Sequence, residues 1–334
     1  MAKIAVMGSG GWGTAFAVMA SRFDNDVSLW SVFPEEIDLI KREKENKKLL
    51  AGIKIPDNIT LTNDITCAEK ADIVVIAVPS FAVRSVSRLL KPVLKKDAII
   101  VSIAKGLEED TLLRLSQVIE EELDFAKIAV MSGPSHAEEV ARGVPTANVV
   151  VSKDLSTAQY IQDILMNPIF RLYTSSDLIG AELGGALKNV IALACGVSDG
   201  MGFGDNSKAA LMTRGITEMV RLGVAMGAKA ETFAGLTGFG DLIVTCSSMY
   251  SRNRRAGILI GEGKKVDVAI KEIGMTVEGY KSARAAYILA KKMNIEMPII
   301  TETYKVLYEN KTPKEALYDL MARTKKHESE DLWI

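Results

Sequence analysis

Residues 3–13 read KIAVMGSGGWG. A short apolar run enters a G-x-G-x-x-G pattern at Gly8, Gly10 and Gly13, and a helical stretch, TAFAVMASRF, follows directly. The order is strand, tight turn, helix, and few folds accommodate it. In such a turn Gly8 permits the reversal, Gly10 lets the backbone approach a pyrophosphate, and Gly13 lets the helix pack close to the strand. The N-terminus of the helix adds free N–H groups and a positive partial charge, both suited to phosphate. The pattern predicts a dinucleotide-binding βαβ unit at the start of the chain.

The next 160 or so residues extend that rhythm. DVSLW (26–30), IVVIAV (73–78), AIIVSI (98–103) and KIAVM (127–131) read as strands, joined later by TANVVV (146–151) and RLYTS (171–175). Several are continuously apolar, as parallel strands buried on both faces are. Helical patterns at 12–23, 80–90 and 110–123 fill the gaps. A Rossmann-like, doubly wound parallel sheet over residues 1–176 is expected. From 177 to 334 strand-like runs nearly vanish, and stretches rich in Ala, Leu, Lys and Glu alternate with Gly-rich loops at 200–206 and 235–241. That region is expected to be a mainly helical substrate and catalytic domain. The run KREKENKK (41–48) reads as a solvated helix face.

Composition removes several classes of function. With 41 basic against 42 acidic residues the formal charge is −1, so no bulk basic excess draws the chain to nucleic acid or an anionic membrane. A strand begins at the third residue without a basic leader before it, so a signal peptide is not expected, nor is a membrane-spanning helix. Three widely spaced cysteines, Cys67, Cys195 and Cys246, fit neither a disulfide framework nor a metal cluster, and a reducing cytoplasm is the simplest setting. A homodimer is common among such folds, although no residue pattern fixes the oligomeric state.

The second half of the dinucleotide fingerprint is incomplete. An acid about 20 residues beyond the turn would bind the ribose 2′-hydroxyl of NAD. The second strand ends LWSVFP, with Ser31, Val32 and Phe33 at that place and no arginine for the 2′-phosphate of NADP. The motif leaves NAD and NADP open. Three further strand ends carry small or polar residues: AVPS (77–80), SIAKGLE with Lys105 and Gly106, and MSGPSHAEEV with Gly133, Ser135 and His136. Carboxyl ends of strands line the ligand crevice in this fold. His136 could serve as a proton donor, but it reads more simply as a partly exposed residue in the first turn of a helix.

The stronger proton donor lies in GAELGGALKNVIALACG (180–196). On one helix, Ala181, Gly184, Gly185, Ala192 and Cys195 share a face with Lys188. All are small, which suggests clearance for a substrate and a nicotinamide. Burial would lower the pKa of the lysine and make it a competent acid near neutral pH. Downstream, GLTGFGDLIVTC (235–246) places Asp241 at the end of a Gly-rich loop, and YSRNRRAG (250–257) follows with Ser251, Arg252, Asn253, Arg254 and Arg255. Ser251 is a good helix N-cap. A helix N-terminus flanked by arginine suits a phosphate monoester.

Taken in order, GSGGWGTA, AVPS, AKGLE, SGPSHAEEV, ELGGALKNVIALACG, NSKAALMTRGITE, GLTGFGDLIVTC, SRNRRAG and VEGY span nearly the whole chain. This series resembles the bacterial NAD(P)-dependent sn-glycerol-3-phosphate dehydrogenase family. The resemblance implies reduction of dihydroxyacetone phosphate to sn-glycerol 3-phosphate, with a role in glycerophospholipid synthesis. It implies Lys188 as proton acceptor and donor. Lys105 would touch substrate and cofactor, and Gly133, Ser135, Asp241, Ser251, Arg252 and Asn253 would contact substrate. Gly8, Gly10, Gly11, Trp12, Gly13, Phe33, Ala137, Arg252 and Glu278 would contact cofactor. The Val32–Phe33 position departs from relatives with a basic residue or histidine there. Two rivals remain at this point: a related dehydrogenase of small hydroxy acids, and a nucleotide-sensing module without catalysis. The arginine cluster favours a phosphorylated substrate, and a sensor would not need Lys188, Asp241 and Arg252 together.

Overall fold

The computed structural model describes residues 1–325, 327 and 328, so the end of the helical region expected to run to 334 lies outside the described residues. The first compact unit comprises Met1–Ala104 and Leu115–Leu178, and the second comprises Lys105–Arg114 and the chain from Ile179 onward.

The first unit is an α/β unit. Its elements are β1 (Lys3–Met7), α1 (Gly11–Ala20), β2 (Asp26–Trp30), α2 (Pro34–Glu43), β3 (Ile59–Thr62), β4 (Ile73–Ile76) and α3 (Val83–Leu90), then β5 (Ile99–Ser102), α4 (Leu115–Glu122), β6 (Lys127–Ser132), α5 (Ala137–Arg142), β7 (Thr146–Ser152), α6 (Leu155–Leu165) and β8 (Phe170–Ser175). The strands form one sheet in the order β3-β2-β1-β4-β5-β6-β7-β8. Chain order reverses between β1 and β4, so the carboxyl end of β1 opens at a topological switch point, where this class of sheet binds ligands.

The sheet is not parallel throughout. β7 runs antiparallel to β6, and β8 then pairs parallel to β7. The connection between β6 and β7 carries the short α5 (Ala137–Arg142), and the chain re-enters the sheet from the end at which it left.

Two local expectations also change. β3 is a four-residue edge strand, ITLT, buried mainly at Ile59, so it lacks the continuous apolar run that marks its neighbours. The 41–48 run is not one helix face. α2 stops at Glu43, and Lys44 closes it in the left-handed region (φ 55°). Asn46 is buried, and its Nδ2 donates to Ser9 O at 2.7 Å and to Thr14 Oγ1 at 3.0 Å. This charged stretch thus supplies the polar pin that holds the Gly-rich turn. The helix expected over 110–123 starts only at Leu115, because Leu107 and Leu112 are buried in the core of the second unit.

The second unit is helical. It comprises α7 (Leu178–Gly200), α8 (Asp205–Ala225), α9 (Ala230–Ala234), a π-turn over Leu236–Gly240, α10 (Asp241–Ser247), α11 (Arg252–Gly261), α12 (Val266–Ile273), α13 (Glu278–Met293), α14 (Pro298–Tyr308) and α15 (Pro313–Met321). α7 is its axis. It is long and apolar enough to cross a membrane by length and composition, yet 89% of its most apolar window is buried inside the fold. Leu183, Leu187, Ile191 and Cys195 are fully buried in the core that α8, α10, α11, α13 and α14 share.

Candidate functional site

The glycine turn has the shape its sequence requires. Gly8 adopts φ +127°, and a Cβ there would lie 2.8 Å from Ala77 O. A Cβ on Gly13 would lie 2.0 Å from Gly8 O. At Gly10 the nearest atom, Ala77 O, would be 3.9 Å away, an ordinary contact, whereas a Cβ on Gly11 would lie 2.5 Å from Leu49 O. Gly10 is also the N-cap of α1. It provides no side-chain cap, and no acid stands in the first turn. Thr14 N–H donates to Gly10 O at 2.9 Å, so the N–H groups before it have no intrahelical acceptor. Backbone donors at a helix start without a side-chain cap or an acid in the first turn fit the pyrophosphate of a dinucleotide. Gly13→Ala is expected to raise the Kd for the dinucleotide at least about tenfold, and to cost about 1–3 kcal/mol through overpacking. Fluorescence titration and thermal denaturation would check both.

At the end of β2, Val32 and Phe33 are half-exposed and uncharged. Glu36, from the first turn of α2, fills the place left without an acid: its Oε2 accepts from Ser9 Oγ at 2.7 Å and from Ser31 Oγ at 2.8 Å. The acid stands one helical turn beyond the position that the fingerprint spacing indicates. Pro34, a strong helix-start signal, was the available sign that a side chain from the following turn could point back.

Polar groups also gather at the ends of β5 and β6. Gly133 has φ +141°, and a Cβ there would lie 2.8 Å from Asn148 Oδ1. Ser135 Oγ donates to Gly133 O at 2.9 Å, His136 is the N-cap residue of α5, and Ala137 opens that helix. Ser102 Oγ, Ser132 Oγ and both amide atoms of Asn148 are buried without a hydrogen-bond partner among the described residues. Such orphaned groups are costly. Asn148 carries no sequence signal, because a lone Asn within a strand forms no motif.

The second unit holds the ionisable centre. Lys188 Nζ donates to Asp241 Oδ1 and, at 2.7 Å, to Thr245 Oγ1. Thr245 in turn donates to Asp241 O at 2.6 Å. Lys105 Nζ donates to the other carboxylate oxygen, Oδ2, at 2.6 Å. Asp241 is 1% exposed and Lys188 6%. Burial pulls the Lys188 pKa down to about 8, against the attraction of Asp241 and with further help from Lys105. For Asp241, burial alone would raise the pKa, but Lys105 and Lys188 outweigh it and hold the carboxyl below its usual range. The result is two ammonium groups sharing one buried carboxylate, one of them poised near neutrality.

One of the small residues around Lys188 accommodates the chain itself. A Cβ on Gly184 would lie 2.4 Å from Thr237 O. At Gly184 the face of α7 therefore meets the chain's own Gly-rich loop, whose end carries Asp241, the partner of Lys188. Ala181, Ala192 and Cys195 are fully buried. The Lys105–Arg114 segment is tied down in the same unit by the buried Arg114–Glu182 ion pair, and by Glu109, which meets Arg284 at 3.2 Å.

Around α11 the cluster splits in its duties. Ser251 caps the helix, accepting from Arg254 N at 3.2 Å. Arg254 pairs with Asp199 at 2.8 Å. Asn253 Nδ2 donates to Asn189 Oδ1 at 2.9 Å, and Asn253 Oδ1 accepts from Gly279 N at 2.8 Å. That link ties α7, α11 and α13 together, beside Glu278 at the start of α13. Arg252 is the first residue of α11 and is half-buried.

Two family models cover most of the chain: the N-terminus of NAD-dependent glycerol-3-phosphate dehydrogenase matches residues 3–158, and its C-terminus matches residues 177–318. The chain belongs to the NAD-dependent glycerol-3-phosphate dehydrogenase family. A glycerol-3-phosphate dehydrogenase [NAD(P)+] of Fusobacterium nucleatum is 54% identical over 331 residues, covering 98% of this chain and 99% of the relative. The enzyme of the same name from Moorella thermoacetica is 54% identical over 330 residues, with 98% of each chain covered. Among solved structures, glycerol-3-phosphate dehydrogenase from Coxiella burnetii superposes with a TM-score of 0.93 at 38% identity, covering 96% of this chain and 99% of that one. Within this family frame, Thr245 is the polar contact of Lys188 that the motif reading missed. Its position four residues after Asp241, one helical turn on, was the available signal.

Proposed function

We propose that the chain interconverts dihydroxyacetone phosphate and sn-glycerol 3-phosphate with NAD(H) or NADP(H), and that Lys188 is its proton donor and acceptor. The observation that carries the residue assignment is the buried Lys188–Asp241–Lys105 cluster. When bound, the reduced nicotinamide supplies a hydride for C2 of the ketone. The protein must supply a proton for the C2 oxygen. The Lys188 ammonium gives up that proton and becomes a neutral amine; in the oxidation direction the neutral amine takes it from the C2 hydroxyl. Asp241 holds the lysine in position, and Lys105 balances the remaining carboxylate charge. Arg252, at the positive end of α11, supports recognition of the substrate phosphate. Gly133 and Ser135 are assigned to substrate, and Trp12, Phe33, Ala137 and Glu278 to cofactor, on the family's pattern. The product would serve as the glycerol unit of phospholipids.

The test is oxidation of NADH and of NADPH followed by absorbance, with dihydroxyacetone phosphate, with a 2-oxo acid, and without substrate. Turnover with the phosphorylated ketone alone supports the reading, and turnover with the oxo acid alone overturns it.

The pH profile has a defined sign. Reduction needs Lys188 charged, so kcat/KM for the ketone is expected to be high below pH 8 and to fall as pH rises through about 8. Oxidation of glycerol 3-phosphate needs the neutral amine, so its kcat/KM rises through the same pH. Profiles measured in both directions at fixed ionic strength check this.

A further inference from the structure

We propose that Glu36 makes this chain selective for NAD(H) over NADP(H). The proposal rests on the dinucleotide-dependent reading above. Ser9 lies inside the glycine turn, between the two glycines that shape the approach to a pyrophosphate, and Ser31 directly follows the last residue of β2. Both serines are 3% exposed. Their hydroxyls donate to a single oxygen, Oε2 of Glu36, at 2.7 and 2.8 Å. The carboxylate therefore bridges the turn and the strand end. In a doubly wound sheet the adenosine ribose of a dinucleotide lies there, one step from the pyrophosphate. No described residue hydrogen-bonds the second oxygen, Oε1.

The chemistry of the two ligands differs at this point alone. A ribose 2′-hydroxyl can donate to a carboxylate oxygen, a charge-assisted hydrogen bond of the stronger kind. A 2′-phosphate brings like charge against the same oxygen and finds no compensating cation on the strand end, where Ser31, Val32 and Phe33 are uncharged. The two serine donors fix the Glu36 rotamer, so the carboxylate cannot swing aside without breaking both bonds. A glutamate in the first turn of a helix is ordinary, since it complements the helix dipole. Reaching back to the serines of two other segments is not required for that purpose, and it positions the charge for discrimination.

The experiment is direct binding by fluorescence titration, without substrate, of NADH and NADPH to the full-length protein. 5′-AMP and adenosine 2′,5′-bisphosphate serve as competitors that read the ribose end alone. For the unaltered protein, Kd for NADPH is expected to exceed that for NADH by about tenfold or more, with 5′-AMP the better competitor. Glu36→Gln keeps the side-chain shape and is expected to shrink that ratio several-fold, and Ser31→Ala to shrink it less. Equal or reversed affinities in the unaltered protein overturn the inference while leaving the dehydrogenase reading intact. An unchanged ratio in Glu36→Gln does the same. Binding of neither nucleotide overturns both.

Discussion

Lys188→Ala is expected to lower kcat for dihydroxyacetone phosphate reduction by about 10²–10⁴-fold, the usual contribution of a positioned general acid. The Kd for NADH should stay within about twofold, because the glycine turn proposed to receive the pyrophosphate belongs to the other compact unit. The buried carboxylate is not orphaned by this change, since Lys105 still meets Asp241 Oδ2 at 2.6 Å. A global loss of folding is thus not the expected route to inactivity, and a thermal denaturation curve recorded beside the kinetics separates the two effects. Near-normal turnover would remove Lys188 from the mechanism.

Asp241→Asn carries the second large effect, on stability as well as on rate. It leaves Lys188 buried with only the Thr245 hydroxyl and a neutral amide as polar partners. Removing one member of a buried ion pair typically costs about 3–5 kcal/mol. Attraction to Asp241 is the main influence that holds the Lys188 pKa up against burial. Without it that pKa falls further below about 8, and the limb on which ketone reduction declines moves to lower pH. The sign for stability follows. The unfolded lysine titrates near 10.5 and the folded one far lower, so the variant loses most stability at acidic and neutral pH and recovers part of it as pH rises. Denaturant unfolding across that range tests this, and the pH profile of kcat/KM tests the shift. A flat stability difference would show that the cluster is not electrostatically coupled.

Much of this protein could be read before its fold was known, and the exceptions have local causes. Seven of the eight strands carry apolar runs dense enough to see, while β3 does not, because it lies at the sheet edge with one well-buried side chain. The glycine pattern at 8–13 was legible because backbone clearance leaves no other residue type at Gly13. The reversal of β7 was not legible as a pattern of residues, since strand direction is set by pairing in the sheet. Lys188 stood out as a charge in an apolar helix. Its partners did not, because Lys105, Asp241 and Thr245 are separated from it by more than 50 positions and are brought to it only by folding.

The amino-acid sequence by itself determined the layer architecture, the nucleotide turn, the identity of the ionisable lysine and the family. These depend on local periodicity, backbone clearance and the chemistry of single residues. Only the tertiary structure decided that Gly184 makes room for Thr237 rather than for a ligand, that Asn46 pins the turn, and that Glu36 reaches back to Ser9 and Ser31. Those are distances between segments. A distance between segments is set by how whole elements pack, which no single stretch of the chain contains.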